Sequence, residues 1–158
     1  MRALRFNLCA LLLLAGLPAA AQQMAEWERG SAKNVEYANL TTGMGDVFGF
    51  FCRPVKNRFV GGMVMKANAF RTLIRDEQSY SLNIVIDGER DSIVFKAKDV
   101  DLWFEASDLN QQLSLGRLYD AVRASHQLEL AVSAIGWRER YDFADAEKAL
   151  AGLMDRCQ

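Results

Sequence analysis

Residues 82–97 read LNIVIDGERDSIVFKA and contain two runs in which apolar and polar side chains alternate. Alternation of this kind is typical of a β-strand with one buried face. Asp87 and Gly88 separate the runs, and glycine accepts the positive φ that a tight chain reversal needs. The stretch therefore predicts an antiparallel β-hairpin.

Further strands are predicted on both sides of this hairpin, where apolar residues alternate or run continuously. They cover residues 34–40, 47–52, 59–66, 100–104, 127–132 and 137–143. Gly61-Gly62 indicates a bend or bulge at the start of strand 59–66. Six to eight strands in so short a chain predict a β-rich α+β fold, with an antiparallel sheet folded on itself or a sandwich.

Two short helices are predicted within this β-rich pattern. The first carries four apolar residues on one face at helical spacing, namely Leu115, Leu118, Tyr119 and Val122. Ser114 is its expected N-cap. The second covers residues 146–156 after a cap at Asp145, and we expect this C-terminal helix to pack on the sheet.

The N-terminus has the three-part pattern of a cleavable secretory signal peptide. Arg2 and Arg5 supply a positive start, and residues 8–17 form an apolar run. Ala19 and Ala21 fit the small-residue cleavage site that follows such a run. An uncleaved membrane anchor is the alternative, but the run is far shorter than the roughly 20 residues needed to span a bilayer.

Cleavage at this site leaves residues 22–158 as the mature chain, with residues 1–21 as the signal peptide. The mature length fits a single globular domain, with no transmembrane segment after cleavage. The formal net charge of the whole chain is −1, and the signal carries two of its basic residues and none of its acidic ones. An acidic balance argues against a nucleic-acid partner, whose phosphates attract basic surfaces.

Cys52 and Cys157 are the two cysteines of the mature chain, since Cys9 lies in the signal. An even pair in an oxidising compartment predicts a disulfide. No cysteine and histidine pattern of a metal site accompanies them, so we predict neither a metal ion nor another cofactor. A periplasmic or secreted location follows from the signal and the cysteine pair together.

The sequence predicts no catalytic residues. Its one histidine, His126, lies between a predicted helix and a predicted strand, which favours a solvated junction residue over a general base. A carboxylate pair, Asp99 and Asp101, is expected on the polar face of a strand. A small hydrolase using His126 or this pair stays open as an alternative.

Three other patterns have ordinary structural interpretations. Asp87, Glu89 and Asp91 crowd one turn but lack the spacing of a calcium loop, so a solvated hairpin tip is expected. Residues 43–45 (GMG) are followed by a strand pattern, whereas a dinucleotide loop is followed by a helix. The tryptophans are expected in the core rather than in a ligand groove; they are Trp27, Trp103 and Trp137.

The C-terminal part carries an order of helix, strand, strand, capped helix and cysteine. The segments are 118–122 (LYDAV), 128–132 (LELAV), 141–143 (YDF), 149–153 (ALAGL) and Cys157. This order resembles the C-terminal half of small exported bacterial proteins of the invasion-associated locus B family and of some type VI secretion accessory proteins. The resemblance implies a non-enzymatic periplasmic or envelope protein that works by contact with other proteins, and it carries over no catalytic residue.

We therefore predict an exported, non-enzymatic periplasmic or envelope protein associated with virulence or secretion. Its predicted partner is another envelope or secreted protein. A small-ligand-binding or inhibitor domain is a further alternative to the hydrolase. A pocket with converging polar groups would favour a ligand site, and a filled core with one exposed apolar patch would favour a protein partner.

Overall fold

Nine β-strands join in one antiparallel sheet within residues 24–157, the part of the chain that the computed structural model describes. The strands are β1 (Glu26–Ala32), β2 (Val35–Thr41), β3 (Val47–Val55), β4 (Arg58–Lys66), β5 (Ser79–Ile86), β6 (Glu89–Lys98), β7 (Asp101–Glu105), β8 (Gln127–Val132) and β9 (Trp137–Asp142). The helices are α1 (Phe70–Leu73), α2 (Leu109–Ala124) and α3 (Ala146–Leu150), and a short 3-10 turn covers Ser133–Ile135. The predicted signal peptide, residues 1–21, lies outside the described residues.

The predicted hairpin is confirmed as the pair β5 and β6. Its register runs without interruption from Ser79 opposite Lys96 to Ile86 opposite Glu89. Asp87 and Gly88 form the two-residue turn with φ values of 49° and 86°. Positive φ at both positions matches the right-handed twist of the flanking strands, so the local sequence is sufficient to specify this hairpin.

The sheet curls until its two outer strands meet. The strand order is β1-β2-β3-β4-β7-β6-β5-β8-β9, which places the first and last strands at opposite edges. Ala25 forms a parallel bridge with Phe143, and its N–H donates to the Asp142 carbonyl at 2.9 Å. Trp27 packs edge-on against the Phe143 ring at 5.7 Å between centroids. These contacts close the curled sheet at one point.

The inner face of the curled sheet encloses the hydrophobic core. α2 adds the four apolar residues predicted for its inner face, and all four are buried. Tyr119 of α2 packs edge-on against Phe50 of β3, with ring centroids 5.3 Å apart. The Tyr119 hydroxyl donates to the Leu150 carbonyl, which ties α2 to α3. The two helices therefore hold the C-terminal segment against the sheet.

The predicted disulfide between Cys52 and Cys157 is present. The two Cα atoms lie 5.9 Å apart, and both residues are buried. Cys52 belongs to the inner face of β3, whereas Cys157 follows a series of turns after α3. The bridge thus fixes the end of the described chain to a central strand.

The sheet contains more strands than the six to eight predicted, and three α-helices occur where two were predicted. β1 was missed because its sequence, EWERGSA, is largely polar and mostly exposed. α1 was missed because four residues are too few to show helical periodicity. The strands belong to one continuous sheet, so the sandwich alternative does not apply.

The predicted bulge at Gly61-Gly62 is wrong, because β3 and β4 pair residue by residue through both glycines. Ser114 is likewise not the N-cap of α2. The helix begins six residues earlier, at Leu109, and its N-cap is Asp108, whose carboxylate accepts the N–H of Gln111 at 2.9 Å.

The C-terminal helix is shorter than predicted, because α3 ends at Leu150 and the chain continues through turns to Cys157. Asp145 occupies the predicted N-cap position, but it has a left-handed φ of 60° and its side chain forms no cap hydrogen bond. The turns keep Leu153 and Met154 buried without further helix.

Candidate functional site

The candidate residues of the hydrolase alternative lie on different surfaces. His126 is exposed beside the cleft between the end of α2 and the start of α3. Asp99 and Asp101 instead line a groove on the outer face of the sheet. The Asp101 carboxylate forms an ion pair with the Lys66 ammonium at 2.7 Å. His126 and the Asp99 and Asp101 pair therefore remain two separate candidates, as the sequence offered them.

The carboxylates of the β5–β6 turn point to separate neighbours. Asp87 Oδ1 lies 3.3 Å from the Ser125 hydroxyl, and Asp91 lies 3.9 Å from Arg117. Among residues 24–157, no three histidine, cysteine or acidic side chains gather as metal ligands would. None of the helices in the same range combines the length and the apolar character needed to cross a membrane.

A groove of about 760 Å³ crosses the outer face of the sheet; we call it the outer-face groove. Its floor is formed by side chains from four neighbouring strands, namely Tyr37, Asn39, Phe51, Val64 and Trp103. The volume falls within the range of small-molecule sites. Because strands supply the floor, the groove is built on the most rigid elements of the fold.

Strand register explains how residues distant in sequence meet in the floor. Tyr37 of β2 lies opposite Phe51 of β3, and Val64 of β4 lies opposite Trp103 of β7. The rings of Phe51 and Trp103 pack edge to face, 5.7 Å apart. Phe51 is 3% exposed, whereas Tyr37 and Trp103 are half-buried.

Two glycines lower the floor between these side chains. The ring of Phe51 lies over Gly62, and the side-chain oxygen of Asn39 lies over Gly49. A Cβ atom at Gly62 would overlap both the Phe51 ring and the Phe104 carbonyl oxygen. Glycine is therefore needed at position 62, because the Phe51 ring and the Phe104 carbonyl approach the backbone closely there. This close approach, and not a bulge, explains the glycine at position 62.

Eight charged side chains surround the floor, and we call them the rim. The cations are Arg53, Lys66, Lys96 and Lys98, and the carboxylates are Glu77, Asp99, Asp101 and Glu105. Equal numbers of the two signs give the rim a formal charge of zero. A ligand with a large net charge of either sign would gain no attraction from such a rim.

Most rim charges are held by partners of opposite sign. Arg53 donates to Glu105 at 2.6 Å, and Lys96 lies 2.6 Å from Glu77. The hydrogen bond and charge of Lys96 lower the pKa of Glu77. With the ion pair of Asp101, three pairs of opposite charge therefore lie along the rim.

A rim cation also reaches the floor. The ammonium of Lys66 lies over the Trp103 ring, 5.9 Å from its centroid. The Nε atom of Arg53 is buried and has no hydrogen-bond partner among the described residues. A ligand in the groove would therefore meet the outer nitrogens of the Arg53 guanidinium and not its Nε atom.

Two acidic residues, Glu139 and Asp46, lie away from the groove, and the charge of Asp46 acts on Glu139. Glu139 occupies the inner face of β9 between the buried residues Trp137 and Tyr141. Asp46 is also buried, and its carboxylate accepts the N–H of Asn68 at 2.9 Å. Burial raises the pKa of Glu139, and the negative charge of Asp46 raises it further.

Replacing Glu139 with Gln is expected to raise the melting temperature at neutral pH. A carboxyl whose pKa is raised in the folded state binds its proton more tightly there, so its ionisation lowers stability as pH rises through the folded pKa. The gain is at most about 1 kcal/mol, since solvent screens a partly exposed carboxylate. The gain is measured by thermal unfolding at neutral pH and at a pH below 4.5, which is the ordinary pKa of a glutamate side chain.

The gain of Glu139→Gln should disappear below pH 4.5, where the carboxyl is protonated in both states. Glu28→Gln on exposed β1 is the matched control and should change the melting temperature little. An equal gain at both pH values would contradict the account of Glu139.

Trp103 lines the groove, although the sequence had led us to expect it in the core. Its neighbours Leu102 and Phe104 do face the core, so strand alternation alone puts Trp103 on the outer face with Asp101. That signal was present in the sequence. Tyr37 and Phe51 could not be assigned to the same surface without the register.

Comparison of the chain with family models, with curated proteins and with solved structures finds no match.

Proposed function

We propose that this chain is an exported protein that acts by binding, without catalysis, through the outer-face groove. The observation that carries the proposal is the combination in one groove of half-buried aromatic rings with a rim of fixed polar groups. Converging polar groups around an apolar floor are the usual composition of a ligand site.

Two observations support export to the periplasm or beyond. The N-terminal sequence has the pattern of a cleavable signal, and the Cys52–Cys157 disulfide is compatible with an oxidising compartment. A disulfide of this kind is rarely kept in the reducing cytosol.

Pairing of the charged groups favours binding over hydrolysis. Asp101 lies 2.7 Å from the Lys66 ammonium, and Glu105 lies 2.6 Å from the Arg53 guanidinium. A carboxylate pair that hydrolyses a bond places one carboxyl group on each side of that bond. Asp101 and Glu105 each face a cation instead, and their remaining oxygen lone pairs can accept hydrogen bonds from a ligand.

Replacing Trp103 with Ala is expected to remove binding to the envelope of the producing organism. Because the substitution deletes exposed ring surface from the floor, retention of the purified mature protein on an envelope fraction should fall about tenfold or more. Co-sedimentation with that fraction measures retention.

Leu113→Ala is the matched control, since Leu113 is an apolar residue on α2 that is 60% exposed and lies outside the groove. Its retention should equal that of the unmodified protein. Melting temperatures of both variants establish that they are folded. Equal retention of the Trp103 variant would reject the groove as the binding surface.

A further inference from the structure

We propose that the occupant of the outer-face groove is an uncharged oligosaccharide, an inference that rests on the proposed function. Four features of the groove carry it: its charge balance, its aromatic floor, the pairing of its strands and its length.

The charge balance selects a neutral ligand. The rim holds four cations and four carboxylates, and three pairs lie at 2.6 to 2.7 Å. A polyanion such as a nucleic acid would meet the carboxylates, and a polycation would meet the cations. Like charges brought together in this way oppose binding. Hydroxyl groups, in contrast, can donate to the carboxylates and accept from the cations.

The aromatic floor suits the apolar face of a sugar ring. Trp103 and Tyr37 line the groove and are half-buried, and aromatic faces carry partial negative charge that attracts the C–H groups of a pyranose. Asn39 adds to the floor an amide with both donor and acceptor capacity.

The pairing of the central strands disfavours a polypeptide that binds by strand addition, which is one way in which the predicted protein partner could bind. A peptide that adds to a sheet binds the free backbone groups of an edge strand. β3 pairs with β2 and β4, and β4 pairs with β3 and β7, so these central strands have their ladders occupied. The groove therefore offers side chains rather than main-chain hydrogen bonds.

The length of the groove fits an oligomer rather than one sugar. Its lining comes from six adjacent strands, β1, β2, β3, β4, β7 and β6. Five steps at about 4.8 Å each give a span of about 24 Å. A pyranose unit is about as long as one step, so successive units of a linear glycan would meet successive strands.

Titration calorimetry with defined tetrasaccharides tests this inference. The neutral probes are tetra-N-acetylchitotetraose, cellotetraose and maltotetraose. The charged probes are deacetylated chitotetraose, a cation with the same backbone as the first probe, and tetragalacturonate, an anion. We expect at least one neutral probe to bind, with binding weakened about tenfold by Trp103→Ala and unchanged by Leu113→Ala. Deacetylation of a chitotetraose ligand should also weaken binding about tenfold or more.

Failure of all three neutral probes would overturn the inference, as would binding that is equally strong to a charged probe or independent of Trp103. If retention on the envelope fraction still required Trp103 in that case, the proposed binding function would stand and a polypeptide would be the occupant. If retention did not require Trp103, the proposed function itself would fail.

Discussion

Reduction of the Cys52–Cys157 disulfide is expected to lower the free energy of unfolding by roughly 4–5 kcal/mol, the chain-entropy value for a loop of this length. The bridge joins residues 105 positions apart and thereby restricts most of the mature chain in the unfolded state. The bridge also holds the segment that contains Leu153 and Met154. These two residues are buried, but they lie in turns and not in a helix. Chemical denaturation with and without reductant measures the loss.

Titration of free thiols in the denatured, unreduced mature protein is the control for this prediction. It should find none, because both mature cysteines are in the bridge. The double variant Cys52→Ala/Cys157→Ala should lose about as much stability as the reduced protein. An unchanged denaturation midpoint after complete reduction would contradict the structural role given to the bridge.

Replacing Gly62 with Ala is expected to lower the free energy of unfolding by roughly 1–3 kcal/mol, as overpacking of a filled site does. The added Cβ would meet the Phe104 carbonyl oxygen, which belongs to the backbone of β7 and cannot rotate away. It would also displace the Phe51 ring from the groove floor. Urea denaturation measures the stability.

Gly116→Ala provides the matched control for Gly62→Ala. Gly116 lies within α2, and a Cβ there would have no neighbour within 4 Å. The same substitution should therefore raise the free energy of unfolding, by up to about 1 kcal/mol, because alanine favours the helix. Equal effects at the two positions would show that close packing does not explain Gly62.

Local sequence was sufficient for some elements of the fold. The β5–β6 hairpin was predicted because the alternation and the Asp87-Gly88 turn lie within one short stretch. The buried face of α2 was predicted from helical spacing in the same way. The disulfide followed from the signal pattern and the cysteine count, which need no coordinates.

Elements that depend on distant partners were missed. β1 is polar and forms through its pairing with β2, so no periodicity within Glu26–Ala32 reveals it. Gly62 is explained by Phe51 and Phe104, residues that only the register brings to it. The groove was hidden for the same reason, because its floor draws on four strands. Each of its residues was visible in the sequence, but their juxtaposition was not.

Binding in the outer-face groove can be observed at the groove itself by ¹⁹F NMR of protein labelled with 5-fluorotryptophan. The chain has three tryptophans, so three resonances are expected. Trp103 lines the groove, whereas Trp27 and Trp137 pack with the core and serve as internal references. On addition of a solubilised envelope extract, we expect the Trp103 resonance to shift while the other two stay in place. An unmoved Trp103 resonance in an extract that shifts Trp27 or Trp137, or that shifts none of the three, would contradict it.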